Sequence, residues 1–310
     1  MMPPSAQREH QPVLLAEVLE RLDPRPGEVH VDSTLGTGGH GAAILSRLGP
    51  TGLLIGIDRD KEALDVARSH LESTGLPFRL QRGLYSELKE YFRLFGLPPQ
   101  GAVDGLLLDL GVSSLQLDRP ERGFSFLNEG PLDMRMAPGE GESAAEFLER
   151  ASLDEIEGAL RNYGEEPAST RIARAIDRAR KEEKIKTTGQ LARIVEGVLP
   201  RKGKKTHPAT RTFQGIRIAI NRELEHLRLL LRDLDRWVKP GGRVVVLSYH
   251  SLEDRMVKES FREGAREGLY QVHMPNPLRP GKDEILRNPR ARSARLRSVT
   301  RVGKSETPVR

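Results

Sequence analysis

With 310 residues, 37% of them hydrophobic, the chain is long enough to form one large or two smaller packed domains. Its net charge of +6 at pH 7 favours polyanionic partners, above all nucleic acid, and its lack of cysteine excludes disulfide scaffolds, thiolate metal sites and catalysis by a cysteine nucleophile. Because no apolar run approaches the roughly 20 residues that span a bilayer, and no signal-peptide pattern is recognisable, we expect a cytoplasmic protein without membrane contacts.

Strands and helices alternate through the first third of the chain. This alternation predicts parallel βαβ units, in which ligands bind beyond the carboxyl ends of the strands. Asp32, Asp58 and Asp109 all fall at such strand ends. The predicted elements are helix 12–22, strand 29–32, helix 39–48, strand 52–57, helix 60–73, strand 78–81, helix 86–95 and strand 102–108.

The segment Val29 to Gly41 predicts a buried strand that leads into a glycine-rich turn. Its glycines match the dinucleotide pattern G-x-G-x-x-G. Asp32, however, would repel a pyrophosphate, whereas Asp58 is placed to accept both hydroxyls of a ribose. S-adenosylmethionine fits both acids because it has a ribose and a cationic sulfonium but no phosphate. NAD and a purely structural glycine turn remain as alternatives.

The loop that begins at Asp109 is the candidate catalytic site. A carboxylate there can accept a hydrogen bond from an exocyclic amino group and orient its nitrogen towards a methyl donor; capping of the following turn is the structural alternative. Tyr249 and His250 follow the strand predicted at 242–248 and should face the same crevice, where either could stack on a base. Ser251 is predicted to cap the next helix.

After residue 114 the pattern changes to a Gly/Pro-rich loop and charged helices, predicted at 143–150, 152–161, 167–182 and 187–198. We interpret residues 115–208 as an inserted helical domain, involved in substrate recognition, within a discontinuous α/β domain formed by 1–114 and 209–310. The second part is predicted to open with one long helix, 209–237. Weak strand patterns at 269–274 and 295–302 are compatible with the last hairpin of a seven-stranded methyltransferase sheet.

Three further stretches have open interpretations. For the loop Leu132 to Met136 there are two interpretations: its two methionines pack at the domain junction, or the loop forms an active-site lid. Asp133 and Arg135 of this loop are expected to pair locally. Two basic stretches, residues 201–205 and Arg287 to Arg301, suit phosphate contacts with RNA, and a solvated face is the structural alternative. The second stretch has six arginines and no acid.

The chain resembles, nearly from end to end, the MraW family of bacterial methyltransferases. The resemblance implies a class I S-adenosylmethionine-dependent fold, mostly parallel and seven-stranded, with an inserted helical domain. It also implies methylation of N4 of a cytidine in the decoding region of small-subunit (16S) ribosomal RNA, within the small subunit or a late assembly intermediate. The motifs that carry it are 10–15, 32–41, 108–114 with 116–118, 122–126, 131–136, 207–214, 221–224 and 248–255.

For this reaction, the placement at strand ends motivates the hypothesis that Asp109 orients the amino group while Tyr249 or His250 holds the base. The resemblance itself implies cofactor contacts at Gly38, Gly39, His40, Asp58, Tyr85, Asp109 and Gln116.

Other functions remain open at this point. A DNA amino methyltransferase and a ribose 2′-O-methyltransferase use the same cofactor without cysteine, although this chain lacks the Pro-Pro-aromatic motif of many DNA enzymes. A nicotinamide-dependent oxidoreductase and a noncatalytic ribosome-assembly factor are alternatives from other classes.

Overall fold

The computed structural model describes residues 12–199 and 207–303, and these divide into two compact units. The sheet unit comprises the described residues up to Gly111 and from His226 onward, and the helical unit runs from Val112 to Glu225. Residues 10 and 11 of the first family motif and the basic stretch 201–205 lie outside the described residues. None of the helices in the described part of the chain combines the length and apolarity that crossing a bilayer demands.

Within the described residues, seven strands form one sheet. They are β1 (Val29–Asp32), β2 (Leu53–Asp58), β3 (Phe78–Arg82), β4 (Val103–Asp109), β5 (Val238–Ser248), β6 (Tyr270–Val272) and β7 (Arg295–Arg301). Their order in the sheet is β3-β2-β1-β4-β5-β7-β6. The first five strands pair with one another in parallel, whereas β7 is antiparallel to both β5 and β6. This topology confirms the expected class I methyltransferase fold.

Helices cover both faces of the sheet, which is why its central strands bury apolar side chains on both faces. On β4, Leu106 and Leu108 pack into one core and Leu107 into the other, because successive side chains of a strand point to opposite faces. The helices of this unit are α1 (Leu15–Leu22), α2 (Gly39–Leu48), α3 (Lys61–Glu72), α4 (Leu88–Leu94), α11 (Glu223–Trp237, of which His226 onward belongs here), α12 (Ser251–Arg266) and α13 (Lys282–Arg287).

The helical unit has its own core, built from apolar side chains at helical spacing such as Ile172, Ala173 and Ile176. Several of its helices begin at a Ser/Thr-x-x-Glu/Gln capping box, at Ser113, Ser143, Ser152 and Thr187. Its helices are α5 (Ser114–Asp118), α6 (Ala144–Arg150), α7 (Leu153–Asn162), α8 (Ser169–Glu182), α9 (Thr188–Val198) and α10 (Thr210–Asn221).

The single helix predicted over 209–237 is wrong, since the structure has two helices there. Arg222 takes a left-handed conformation, with φ of 51°, and separates α10 from α11. Phe213 and Ile216 of α10 lie in the core of the helical unit. The observed return to the sheet unit therefore lies at residue 226 and not at the predicted 209, and the first boundary lies after Gly111 and not after residue 114.

The basic stretch Arg287 to Arg301 is partly structural. Arg297 is 5% exposed and donates to both carboxylate oxygens of Asp254, at 2.7 and 3.1 Å, while Arg295 donates to Asp254 at 2.6 Å. Arg301 donates to the carbonyl of Val238. The expectation that the whole stretch serves phosphate contacts is wrong for these three arginines, because their guanidinium groups hold β7 against α12 and β5.

We expect Asp254→Ala to lower the free energy of unfolding by roughly 3 kcal/mol, because it leaves Arg297 buried without its counter-charge. Burial alone would raise the pKa of Asp254, but the hydrogen bonds from Arg297 and Arg295 bring it below its usual 3.8. The stabilisation is thus present above this value and lost at lower pH. Denaturant titrations give the free energies of unfolding of the wild type and of Asp254→Ala, which should differ by the full amount at pH 7 and by less below about pH 4.

Asp65→Ala is the matched control, since Asp65 forms an exposed pair with Lys61. It should cost less than about 1 kcal/mol, as exposed ion pairs do. Equal losses in the two variants would contradict the structural role of Asp254.

Candidate cofactor and catalytic site

The turn between β1 and α2 needs its glycines for two different reasons. Gly36 and Gly38 have φ values of 54° and 88°, in the left-handed region that favours glycine. A Cβ on Gly39 would lie 2.6 Å from Pro12 Cγ, and one on Gly41 would lie 2.6 Å from Leu35 Cδ1. Gly38 therefore shapes the start of α2, while Gly39 and Gly41 allow this helix to pack closely.

Asp58 stands at the end of β2 and holds the glycine turn in place. Its Oδ2 accepts the N–H of Gly36 at 2.8 Å, and its Oδ1 accepts the N–H of Asp60 at 2.9 Å. Burial raises the pKa of Asp58, although these two hydrogen bonds oppose the shift. An ionised carboxylate offers about four acceptor sites, so two remain for the hydroxyls of a ribose.

Asp32 is buried at the end of β1, at 1% exposure. Its Oδ1 accepts the N–H of Thr34. Burial raises the pKa of Asp32 to about 7, against the opposing charge of His40, and the carboxylates of Asp109 and Asp58 add to the increase. A cationic ligand near these acids would favour their ionised forms, which suits the sulfonium of S-adenosylmethionine and not a pyrophosphate.

Asp109, at the end of β4, is the centre of a hydrogen-bonded cluster. Tyr249 Oη donates to its Oδ1 at 2.7 Å, and His40 Nδ1 lies 3.4 Å from its Oδ2. Its backbone N–H donates to Thr34 Oγ1 at 2.6 Å. The Asp109 side chain keeps 25% exposure, so the carboxylate can still accept a hydrogen bond from a substrate.

The surroundings of His40 favour its doubly protonated form. Nε2 lies 3.0 Å from the carbonyl oxygen of Val13, which can only accept, and Nδ1 faces the carboxylate of Asp109. Burial alone would lower the pKa of His40, but the hydrogen bond to Asp109 and the charges of Asp109 and Asp32 raise it above 6.5. The imidazolium therefore compensates part of the negative charge of the acids.

Of the two rings after β5, the structure brings Tyr249 to Asp109. His250 is the N-cap of α12: its Nδ1 accepts the N–H of Glu253 at 3.4 Å, and its Nε2 lies 3.1 Å from Glu253 Oε1. The predicted cap at Ser251 is wrong, because Ser251 is already the first residue of the helix. The role of His250 in holding a base stays a prediction.

Tyr85 and Gln116 lie in different units. Tyr85 opens a short 3-10 helix (Tyr85–Glu87) directly after β3, and its ring meets His226 edge to face at 6.4 Å. Gln116 is buried in the helical unit, where its Oε1 accepts the N–H of Ser113 and completes the capping box of α5. Their contacts with a cofactor stay predictions.

The loop from Leu132 to Met136 is held inside the helical unit. Asp133 and Arg135 pair at 2.6 Å, as predicted. Met134 is 1% exposed and packs in the core of this unit. The side chain of Asn221 donates to the carbonyl of Met134 and accepts the N–H of Met136.

Thr34 is a site residue that the sequence analysis missed. Its hydroxyl accepts the N–H of Asp109, which joins the turn after β1 to the end of β4. The available signal was its position in the turn directly after Asp32. The sequence pattern does not reveal its partner, 75 residues away.

We expect His40 to titrate with a pKa above 6.5 in the wild-type protein and below 6.5 in Asp109→Asn, where burial dominates. Histidine side-chain NMR across a pH series measures both values. The stabilisation by the His40–Asp109 pair should be present below about pH 6.5 and disappear as the pH rises through the raised pKa of His40. Asp65→Asn, which removes a distant exposed carboxylate, should leave His40 unchanged; an identical shift in both variants would refute the pairing.

Comparisons with known proteins agree with this geometry. The model of the MraW methylase family matches residues 7–302. The chain is similar to proteins named ribosomal RNA small subunit methyltransferase H: at 47% identity to that of Trichlorobacter lovleyi, over 95% of this chain and 98% of the relative, and at 45% to that of Acidobacterium capsulatum, over 94% and 98%. The chain belongs to the MraW methylase family.

Proposed function

We propose that the protein methylates N4 of a cytidine in the decoding region of small-subunit ribosomal RNA. The observation that carries this proposal is the carboxylate of Asp109, partly exposed at the end of β4 and oriented by Tyr249. An acceptor at this place suits an exocyclic amino group, which has N–H donors to offer. Membership of the MraW family makes the protein a methylase, and the atom that it methylates is what we add here.

The cofactor is S-adenosylmethionine, which supplies an electrophilic methyl group on a sulfonium. The chain's own residues fit it: Asp58 has acceptor sites for a ribose, and the acids of the crevice suit a positive charge. Asp32 stands 3.6 Å from the position of a Cβ on Gly41, so this carboxylate lies directly beside the first turn of α2. The alternative based on NAD is not supported, because these acids would oppose a pyrophosphate.

The absence of cysteine supports an amino acceptor over ring carbon C5 of a pyrimidine. Methylation at C5 ordinarily proceeds through a covalent cysteine adduct, which this chain cannot form. An exocyclic amine needs no such adduct. What it needs is orientation, because its lone pair is delocalised into the ring and must point towards the methyl group.

Asp109 can provide this orientation. The Asp109 carboxylate already contacts Tyr249 and His40, and its remaining acceptor sites can bind an N–H of the cytidine amino group. This hydrogen bond would strengthen as positive charge develops on N4, so it would stabilise the transition state more than the ground state. With the amino group held by Asp109, N4 would form the new bond to the methyl carbon while the bonding pair of the broken bond stayed with the departing thioether, and the surplus proton would leave N4 afterwards.

Ribosomal RNA as the substrate is supported by the names of the relatives, which are ribosomal RNA small subunit methyltransferases. The net charge of +6 is consistent with a polyanionic substrate. Naked RNA, the assembled small subunit and a late assembly intermediate are the forms to be compared.

We expect Asp109→Asn to reduce turnover by roughly 100-fold or more, as removal of a key polar group from a transition-state site does. The measurement is nucleoside mass spectrometry of RNA from unmodified small subunits incubated with S-adenosylmethionine, which should show N4-methylcytidine with the wild type. The affinity of the variant for S-adenosylhomocysteine, measured by calorimetry, shows whether Asp109 acts in catalysis or in positioning the cofactor. Full turnover with normal cofactor binding would exclude the role of Asp109, and a methyl on another nucleoside would exclude cytidine.

Tyr249→Phe removes the hydroxyl that donates to Asp109 and keeps the ring. Loss of a hydrogen bond to a charged group should reduce kcat roughly tenfold or more and leave KM for RNA nearly unchanged. Tyr249→Ala should raise KM as well if the ring packs on the base. Tyr91→Phe is the control: it removes a hydroxyl on α4 that donates to Glu87 and should retain wild-type turnover. Equal effects of Tyr249→Phe and Tyr91→Phe would refute the role of Tyr249.

A further inference from the structure

The antiparallel pairing of β7 places the segment before it at the edge that carries the catalytic candidates. Ser248, the last residue of β5, pairs with Arg295, the first residue of β7. The residues that precede Arg295 therefore lie beyond the carboxyl end of β5, as does Tyr249. These residues form α13 and a 3-10 helix (Pro289–Ser293).

Contacts within the sheet unit fix this segment beside the site. Glu284 of α13 accepts the N–H of Leu14 at 2.7 Å, and the neighbouring Val13 carbonyl contacts His40. Ala291 is buried in the core that Tyr249 packs against. The segment is thus fixed at two points, by Glu284 to Leu14 and by Ala291 in the core. Its outer surface therefore has a defined position next to Asp109 and Tyr249.

The cations of this segment are divided by the fold. Arg295 and Arg297 are bound to Asp254, and Arg301 donates to the carbonyl of Val238 in β5. The cations that come earlier in the chain are exposed, and of these Arg287 donates to the carbonyl of Asp283 within its own helix. Two acids, Asp283 and Glu284, lie among these cations in the sequence, and the carboxylate of Glu284 accepts the N–H of Leu14. We call the exposed set the cationic rim: Arg279, Lys282, Arg287, Arg290 and Arg292.

We infer that the cationic rim binds the phosphate backbone of the RNA strand that carries the methylated base. The inference rests on the proposed function and adds the surface through which the substrate is held. Guanidinium groups match phosphate oxygens in a bidentate geometry, and several of them on one segment beside the crevice suit a single strand that enters it.

Leu286 adds a feature that distinguishes this surface from an ordinary solvated face. It is 80% exposed, and it lies between Lys282 and Arg287 of the rim. An exposed large apolar side chain among cations fits a ligand that offers both charge and an apolar face, as an unpaired nucleotide does through its phosphate and its base. An acidic protein segment would use the charges and not require the apolar contact.

The test compares Arg290→Gln/Arg292→Gln with Arg262→Gln/Arg266→Gln. Both double variants remove two exposed arginines of the sheet unit. The control pair lies far along α12: at a rise of about 1.5 Å per residue, Arg262 is roughly 17 Å beyond Ser251, where the helix leaves the site edge. Binding to a labelled single-stranded RNA containing the target cytidine is measured by fluorescence anisotropy at several salt concentrations.

The rim variant should bind the RNA roughly tenfold or more weakly than wild type at moderate salt, and the magnitude of its slope of log K against log salt should be smaller by about 1.4, as expected for two lost contacts to a single strand. The control variant should match wild type, and both should bind S-adenosylhomocysteine normally. Leu286→Ala should weaken binding without changing the slope; an unchanged affinity would remove Leu286 from the surface.

Wild-type slope and affinity in the rim variant would overturn the inference. Weaker binding of the rim variant to the small subunit alone, with unchanged binding to RNA, would also overturn it, because the partner would then be a ribosomal protein. The proposed function fails by a different result, the absence of N4-methylcytidine in RNA treated with the wild type.

Discussion

The site depends on one constraint, which is that three carboxylates must be held close together at one edge of a sheet. Asp32, Asp58 and Asp109 end neighbouring parallel strands, and their mutual repulsion contributes to raising the pKa of Asp32 to about 7. The structure offsets this repulsion with fixed donors. Backbone N–H groups serve Asp58, and Tyr249 and the His40 imidazolium serve Asp109. The glycine turn and the start of α2 take their shape from these contacts.

This constraint also explains why a cationic cofactor suits the crevice. A buried carboxylate whose pKa lies near 7 is only partly ionised at neutral pH. Arrival of a positive charge favours its ionised form, so binding of S-adenosylmethionine should be coupled to proton release from Asp32. The uncharged thioether of S-adenosylhomocysteine lacks this advantage, which favours exchange of product for fresh cofactor.

The sheet and the acids could be predicted from the sequence because their signals are local. The central strands contain short apolar runs, such as Leu106 to Leu108 of β4, and the acid that ends the strand is visible in the sequence. The break between α10 and α11 has no such signal, as neither Gly nor Pro occurs at 220–224. Arg217 pairs with Glu223 across the break, while Asn221 holds the backbone of Met134 and Met136 more than 80 residues away, so the break depends in part on contacts that are distant in sequence.

The basic stretch shows a different limit. Composition treats its arginines as equivalent, whereas the period of two in a strand puts Arg295 and Arg297 on the same side of β7, where both reach Asp254. Arg290 and Arg292 precede the strand, on a 3-10 turn whose Ala291 is buried between them. A buried alanine with an exposed arginine on either side anchors the turn and presents both charges outward. One run of like charge thus has two functions, internal pairing in β7 and presentation of charge at the site edge.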